Sequence, residues 1–320
     1  MIENETSVQG KVIRELIARM TNESLLGKKI RNGELRKKHI EPAWKCPDCF
    51  FWHLINMEKF SMEFLELKEN PNRSKVVLQL HGGGYIATMH NGYRMFAGLY
   101  SEVGKGISVL TIDYRVAPEE PYPAALEDAV TAYFWLLNRG YQADQIILAG
   151  DSAGGGLSLA LCMYLRDHDY EMPCGIVTMS PWADLTCSGE SYTTNFEKDP
   201  LFGNSRDSMI YNRDYVGKNN PKEPYISPVF GDFSDFPPML IQVGSYEMLL
   251  SDSCEVARKA KEAGVKVRLS VYEGMFHVFQ MAMLVMPESK RAWMEIGKFI
   301  SILQNETVEK SEDEEEIENL

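Results

Sequence analysis

The segment Gly150-Asp151-Ser152-Ala153-Gly154 carries the strongest chemical signal in this chain. Glycines two positions either side of a serine let the backbone turn sharply from strand to helix and project the hydroxyl at the turn. The residues before it, Gln145–Ala149, read as a strand, and those from Ser152 to Asp167 read as a helix. In that context Ser152 is the expected nucleophile. The Ala153 N–H then sits at a helix N-terminus, aimed at developing negative charge. An ordinary glycine-rich strand-to-helix turn is the competing reading. A second segment, His81-Gly82-Gly83-Gly84-Tyr85, directly follows the strand-like run Lys75–Leu80. Consecutive glycines expose backbone N–H groups, which can bind an oxyanion about 3 Å away. A phosphate loop is disfavoured, because the segment has neither G-x-G-x-x-G spacing nor Gly-Lys-Ser/Thr.

The chain has six histidines: His39, His53, His81, His90, His168 and His277. Only His277 falls between a late strand (Val267–Tyr272) and the last helix. That is where a base belongs if the triad runs in the chain order Ser, acid, His. His81 precedes the nucleophile and is expected to hold its loop rather than move protons. The acid should follow the strand Met239–Val243, where Glu247 and Asp252 both stand. Glu247 is nearer the strand end and is the expected acid. Asp252 begins a helical pattern and reads as its N-cap.

These residues need a scaffold. Apolar or β-branched runs at Met62–Leu67, Lys75–Leu80, Ile107–Ile112, Gln145–Ala149, Gly175–Met179, Met239–Val243 and Val267–Tyr272 predict strands. Several are continuous, as expected for strands covered on both faces. Helical patterns lie at Ala124–Asn138, Ser152–Asp167, Asp252–Ala263 and Glu288–Leu303. Alternation of this kind predicts an α/β fold with a mostly parallel, doubly wound sheet. The stretch Trp182–Pro237 breaks the alternation. It is rich in Asn, Asp, Ser, Pro and aromatics, and its best helical pattern is Ser205–Val216. A structureless loop of that length is improbable in a compact domain, so it is read as an insertion over the site. Ser7 is a candidate N-cap for an amphipathic helix to Met20, with Val8, Val12, Ile13, Leu16, Ile17 and Met20 read as its apolar stripe. Packing over the body is the simpler role for this helix, and a membrane-surface helix is the rival. The expected division is an N-terminal helical cap segment at 1–60, a catalytic domain at 61–304 with the cap insertion at 182–237, and an acidic tail at 305–320. The tail carries eight acidic residues against Lys310, about half of the net charge of −13. Its composition predicts disorder.

Six segments in order resemble the hormone-sensitive-lipase-like esterases, the bacterial family IV of the α/β-hydrolases. They are HGGGY (His81–Tyr85), DYRVAPEEPYPAA (Asp113–Ala125), GDSAGG (Gly150–Gly155), SPWADLT (Ser180–Thr186), GSYEMLLSDS (Gly244–Ser253) and EGMFHVF (Glu273–Phe279). The resemblance spans roughly Met62 to Leu303. It implies an eight-stranded sheet with a helical cap. It also implies oxyanion donors at Gly83, Gly84 and Ala153, and neither metal nor organic cofactor. One departure stands out. The GDSAGG branch most often carries Asp in a D-P-L type acid motif, whereas this chain has Glu247-Met248-Leu249. The extra methylene requires the acid loop to sit differently. Asp113, Arg115, Trp182 and Asp184 fall in these motifs but read as scaffold, since buried charges on turns usually pair with each other.

The expected function is hydrolysis of short- to medium-chain acyl esters, such as acetyl esters, through a serine acyl-enzyme. Tyr85, Met89, Trp182, Met248 and Phe276 are the candidate pocket residues. A lipase or phospholipase acting on longer-chain lipid is the alternative, supported only by the basic N-terminal helix. A ligand receptor on a dead hydrolase scaffold is disfavoured because His277 is present. No basic stripe with aromatics points to nucleic acid. No run reaches the roughly 18 apolar residues of a membrane span, so stable membrane association is not expected and a cytoplasmic location is. A homodimer is compatible with the sequence. Cys46-Pro47-Asp48-Cys49 is a C-x-x-C without a second ligand pair. Its thiols read as incidental, with zinc or redox chemistry as the rival.

Overall fold

The computed structural model describes residues 6–21, 34, 41–204, 208–283 and 285–305. The expected helix at Ser205–Val216 falls partly outside them, as do the tail from 306 and His39. Eight strands form one sheet: β1 (Phe50–Asn56), β2 (Ser61–Leu67), β3 (Asn72–Leu80), β4 (Ile107–Asp113), β5 (Ile146–Asp151), β6 (Gly175–Met179), β7 (Met239–Gly244) and β8 (Val267–Tyr272). Their order is β1-β2-β4-β3-β5-β6-β7-β8. β2 runs antiparallel to both β1 and β4, and every other pairing is parallel. The helices are α1 (Val8–Met20), α2 (Asn91–Val103), α3 (Ala124–Asn138), α4 (Ala153–Asp167), α5 (Ser191–Thr194), α6 (Leu250–Glu262) and α7 (Pro287–Asn305).

The continuous apolar runs of β3 and β5 follow from burial on both faces. Val76, Leu78 and Leu80 join one core cluster with residues of α3, α4 and α6. Val77, Ile147 and Ala149 face the opposite way and meet Phe96 of α2 and Trp293 and Phe299 of α7. Trp293 stands edge-on to both Phe96 and Tyr100, with centroids 5.1 and 5.0 Å away. Truncating so large a buried ring typically costs about 3–5 kcal/mol.

Four expectations need correction. Residues 50–56, inside the segment read as helical cap, form the sheet's edge strand instead. Its residues are mostly exposed, so no buried period marks them. Helix α2 is not among the helices that the sequence pattern predicts. Its N-cap is His90, whose ring accepts the Gly92 N–H at 3.0 Å, and it lacks the usual Ser, Thr, Asp or Asn signal. In the described part of 205–216 the one helical element is a 3₁₀ turn at Met209–Tyr211. Finally, α6 begins at Leu250, so Asp252 lies inside its first turn and Leu249 occupies the cap.

Helix α1 packs onto the body. Ser7 caps it by accepting the Gly10 N–H at 2.9 Å. The Glu288 carboxylate at the start of α7 accepts the Ser7 N–H at 2.6 Å and its hydroxyl at 2.9 Å. Arg14 donates to the Gly274 carbonyl at 2.7 Å and lies over the Tyr246 ring. The expected single apolar stripe is split. Ile13 and Ile17 pack against the cluster of Tyr272, Met275 and Phe276, while Val8, Val12 and Leu16 are exposed. Positions 8, 12 and 16 lie on a different side of a 3.6-residue helix from 13 and 17. No helix among the described residues is long and apolar enough to cross a membrane.

Candidate active site

Ser152 sits between the end of β5 and the first residue of α4 with φ 53 and ψ −121. A non-glycine residue in this region is strained, at a typical cost of about 1–3 kcal/mol, and is retained only where the surroundings enforce it. They do so here. A Cβ at Gly150 would lie 2.3 Å from the Gly154 carbonyl oxygen, and one at Gly154 would lie 2.0 Å from the Leu80 oxygen. Met179 accepts the Ser152 N–H at 2.9 Å, and the Ser152 carbonyl accepts the Trp182 N–H at 2.8 Å. The turn is thus clamped between β3 and β6. Ala153 opens α4, where the first N–H groups have no intrahelical acceptor.

The glycine loop after β3 faces this turn. Gly83 and Gly84 have φ 109 and 64, values that glycine adopts readily. Their N–H groups meet no acceptor among the described residues. His81 is fully buried and stacks on Tyr114 with ring centroids 4.0 Å apart, and the Tyr114 hydroxyl donates to the His81 carbonyl at 2.7 Å. Burial holds the His81 imidazole below its ordinary pKa, against the opposing field of Asp113. These contacts fit a loop-holding role.

Three residues past the end of β7, Glu247 is fully buried. Its Oε2 lies 3.0 Å from Nδ1 of His277, and its Oε1 accepts the Gly244 N–H at 2.5 Å and the Ser180 hydroxyl at 2.8 Å. Asp252 is engaged elsewhere. Its Oδ2 accepts the N–H groups of Ala183 and Asp184 at 2.9 and 2.8 Å, which ties α6 to the chain after β6. Burial raises its pKa well above that of an ordinary carboxylate.

Ser152, His277, Gly83 and Asp151 line one cavity of about 380 Å³, walled by Ile17, Thr21, Leu201, Phe202, Met209 and Phe276 among others. Of the expected pocket residues only Phe276 lines it. Tyr85, Trp182 and Met248 are corrections, since all three are buried in the core. Tyr85 stacks on Tyr215 at 3.7 Å between centroids. Met89, also a correction, packs against the α2–α7 cluster. A larger groove of about 600 Å³ lies between the β1–β2 edge and α2. It contains none of Ser152, Glu247 or His277, the residues expected to carry the reaction.

Sequence reasoning missed several positioning groups. Asp199 accepts the Met248 N–H at 2.8 Å with one oxygen and those of Leu201 and Phe202 at 2.8 and 3.0 Å with the other. Asn195 donates to the carbonyls of Ser245 and Glu247. Together they hold the insertion to the acid loop. Nothing in an Asn- and Asp-rich stretch distinguishes them in advance. Asp151 has a role beyond its place in the serine motif. Its Oδ1 accepts the Gly82 N–H at 3.1 Å, and burial pushes its pKa up to about 7, against the lowering effects of His277, Gly82 and Tyr93. Among the described residues no group of three His, Cys, Asp or Glu side chains is arranged to hold a metal ion.

A family model described as the alpha/beta hydrolase fold matches residues 77–281. Among solved structures, an esterase from the bacterial hormone-sensitive lipase family superposes with a TM-score of 0.81 at 32% identity, covering 94% of this chain and 100% of that one. The chain belongs to the hormone-sensitive-lipase-like esterases of the α/β-hydrolase fold. It is a carboxylic ester hydrolase. An acetyl-hydrolase of Streptomyces hygroscopicus is 39% identical to this esterase over 226 residues, covering 71% of this chain and 75% of the relative. The crystal structure of EstE5 soaked with p-nitrophenyl butyrate aligns to the esterase with a TM-score of 0.82 at 33% identity, over 93% of this chain and 99% of the other.

Proposed function

We propose that the esterase acts on small-molecule esters of short- to medium-chain acids through a triad of Ser152, His277 and Glu247. The supporting observation is the His277 Nδ1 to Glu247 Oε2 contact of 3.0 Å beside the cavity that holds Ser152. With Nδ1 directed to Glu247, Nε2 is the nitrogen left to exchange a proton. Ser152 Oγ attacks the ester carbonyl while His277 takes its proton. The tetrahedral oxyanion is received by the N–H groups of Gly83, Gly84 and Ala153. Collapse expels the alcohol, which takes the imidazolium proton and leaves an acyl-Ser152 ester. Water, deprotonated by His277, attacks that ester in turn. The acid is released and Ser152 regains its proton. Glu247 holds the imidazole in the right tautomer and offsets its transient charge.

The cavity's volume of about 380 Å³ and its walls of Leu201, Phe202 and Met209 favour a short acyl chain. We assign these walls to a cap built from the N-terminal segment, ending before β1, and from the insertion 182–237 over the 61–304 domain. The cytoplasmic location expected from the sequence is part of the same proposal, and cell fractionation tests it. A second reading, a lipase on longer-chain lipid, is favoured by one observation. The exposed stripe of Val8, Val12 and Leu16 lies on the helix that walls the cavity with Ile17.

Two measurements test the proposal. A serine-reactive phosphonate should label Ser152 alone, and Ser152→Ala should lose several orders of magnitude in kcat with its fold intact. Labelling elsewhere refutes the nucleophile. On p-nitrophenyl esters, kcat/KM should be highest between acetyl and hexanoyl. A higher value on palmitoyl than on butyryl ester, with activation at a lipid interface, establishes the lipase reading instead.

A further inference from the structure

We propose that Ser180 is a positioning residue for ester hydrolysis, its hydroxyl joining the acid loop to the base loop and holding Glu247 and His277 in register. The inference rests on the triad reading above and adds a member that acts through it. Ser180 directly follows β6 and is fully buried. Its N–H donates to the Gln242 carbonyl at 2.7 Å, which carries the pairing with β7 one residue further.

The hydroxyl has one proton and two neighbours. The Val278 N–H reaches its oxygen at 3.1 Å, and Oε1 of Glu247 lies 2.8 Å away. A backbone N–H can only donate and an ionised carboxylate can only accept, so the direction of both bonds is fixed. Ser180 accepts from the residue next to the base and donates to the acid. Gly244 supplies a second donor to the same Oε1 at 2.5 Å. With Oε1 held from two sides, Oε2 is turned toward His277. The backbone is specialised for this contact as well. Ser180 has φ 51 and Val278 has φ 49, both in the left-handed region that such residues seldom occupy. Two strained residues from separate loops meeting through one hydrogen bond mark a geometry that the surroundings impose. Without the hydroxyl, a fully buried carboxylate loses a donor and the Val278 N–H loses its acceptor.

Ser180→Ala and Ser180→Gly, each made alone and with Glu247→Gln, test this. The readouts are kcat and KM on p-nitrophenyl butyrate and thermal unfolding by circular dichroism. Both single variants should lower kcat about 10- to 100-fold with KM within about 2-fold, the pattern of an interaction that matters in the transition state. Glycine adopts φ 51 without strain, so its loss of rate reports the missing hydroxyl. In the Glu247→Gln background the same changes should cost less than about 3-fold, because a group acting through the acid then has nothing to position. Near-parental kcat in either folded variant overturns the proposal. So do equal losses in both backgrounds, or unfolding of both variants, which would make the hydroxyl an element of stability alone. If Glu247→Gln itself retains activity, the triad reading fails and Ser180 falls with it. That result is distinct from an inactive Glu247→Gln beside an active Ser180→Ala, which refutes Ser180 alone.

Discussion

Asp151 and Gly82 are in direct contact at the wall of the cavity that holds Ser152. One carboxylate oxygen of Asp151 accepts the Gly82 N–H at 3.1 Å, and a Cβ at Gly82 would lie 2.3 Å from the other. Asp151 thus sets the height of the glycine loop that the proposed mechanism uses to receive the oxyanion.

Gly82→Ala should therefore displace that loop. The added methyl also meets the Asp151 backbone oxygen at 3.0 Å, which cannot rotate away. Loss of one oxyanion donor typically costs about 10²–10³ in kcat, and a loss of that order is expected. Steady-state kinetics check it, and an unchanged kcat would show that the loop has room to adapt.

The pH dependence of stability should carry the signature of Asp151. Its folded pKa, pushed up to about 7 by burial, lies above that of an unfolded Asp near 3.8. Between those values the folded chain holds a proton that the unfolded chain has released. Stability from this group is therefore lost as pH rises from about 4 to about 7, by about 4 kcal/mol at most. Asp151→Asn keeps an acceptor for Gly82 and cannot ionise. Its stability relative to the parent should rise across that window in urea denaturation at pH 5, 6, 7 and 8. A constant difference would rule the linkage out.

The two carboxylates after β7 should separate by their effects. Glu247→Gln should lower kcat by up to about 10⁴ at nearly unchanged melting temperature. Asp252→Asn should keep most activity, whereas Asp252→Ala should lose stability by about 1–3 kcal/mol for each of the Ala183 and Asp184 N–H groups left unpaired. An inactive Asp252→Asn beside an active Glu247→Gln would exchange the two roles.

Met209→Ala should lengthen the preferred acyl chain. The Met209 thioether borders the cavity beside Gly84, whose Cβ would meet its sulfur at 3.0 Å. Removing it opens space without touching the His277–Glu247 contact. The optimum on p-nitrophenyl esters should move up by about two carbons or more, each methylene contributing about 0.8 kcal/mol where it is buried. An unmoved optimum would place the acyl chain on another wall.

The order of elements was legible because the candidate site residues sit at strand ends. Strands β3 and β5 announce themselves as unbroken apolar runs, and the serine turn lies directly after one of them. Strand β1 did not, because an edge strand with exposed Phe51, Trp52 and Leu54 has no buried face to impose a period. The pocket was the least legible part. Trp182 and Met248 are close in sequence to catalytic motifs, yet the chain at both points turns inward and buries them. Its actual walls, Ile17, Leu201 and Met209, come from segments distant in sequence. Side-chain direction after a turn depends on dihedral angles that neighbouring residue types do not encode. Asp252 shows the same limit, since a helix starting two residues earlier converts an expected cap into a tie between α6 and the chain after β6.

The contact between Ser7 and Glu288 spans 281 positions of the chain. A ribosome therefore releases α1 long before its partner exists. The Ser152 turn emerges midway, and Glu247, His277 and α7 come late. Ile13 and Ile17 of α1 likewise precede the segment from Tyr272 onward on which they pack. Ile17, which walls the cavity, is thus made long before the cluster of Tyr272, Met275 and Phe276 on which it packs. By this ordering a partly made chain carries Ser152 before the segment that bears Glu247 and His277 exists.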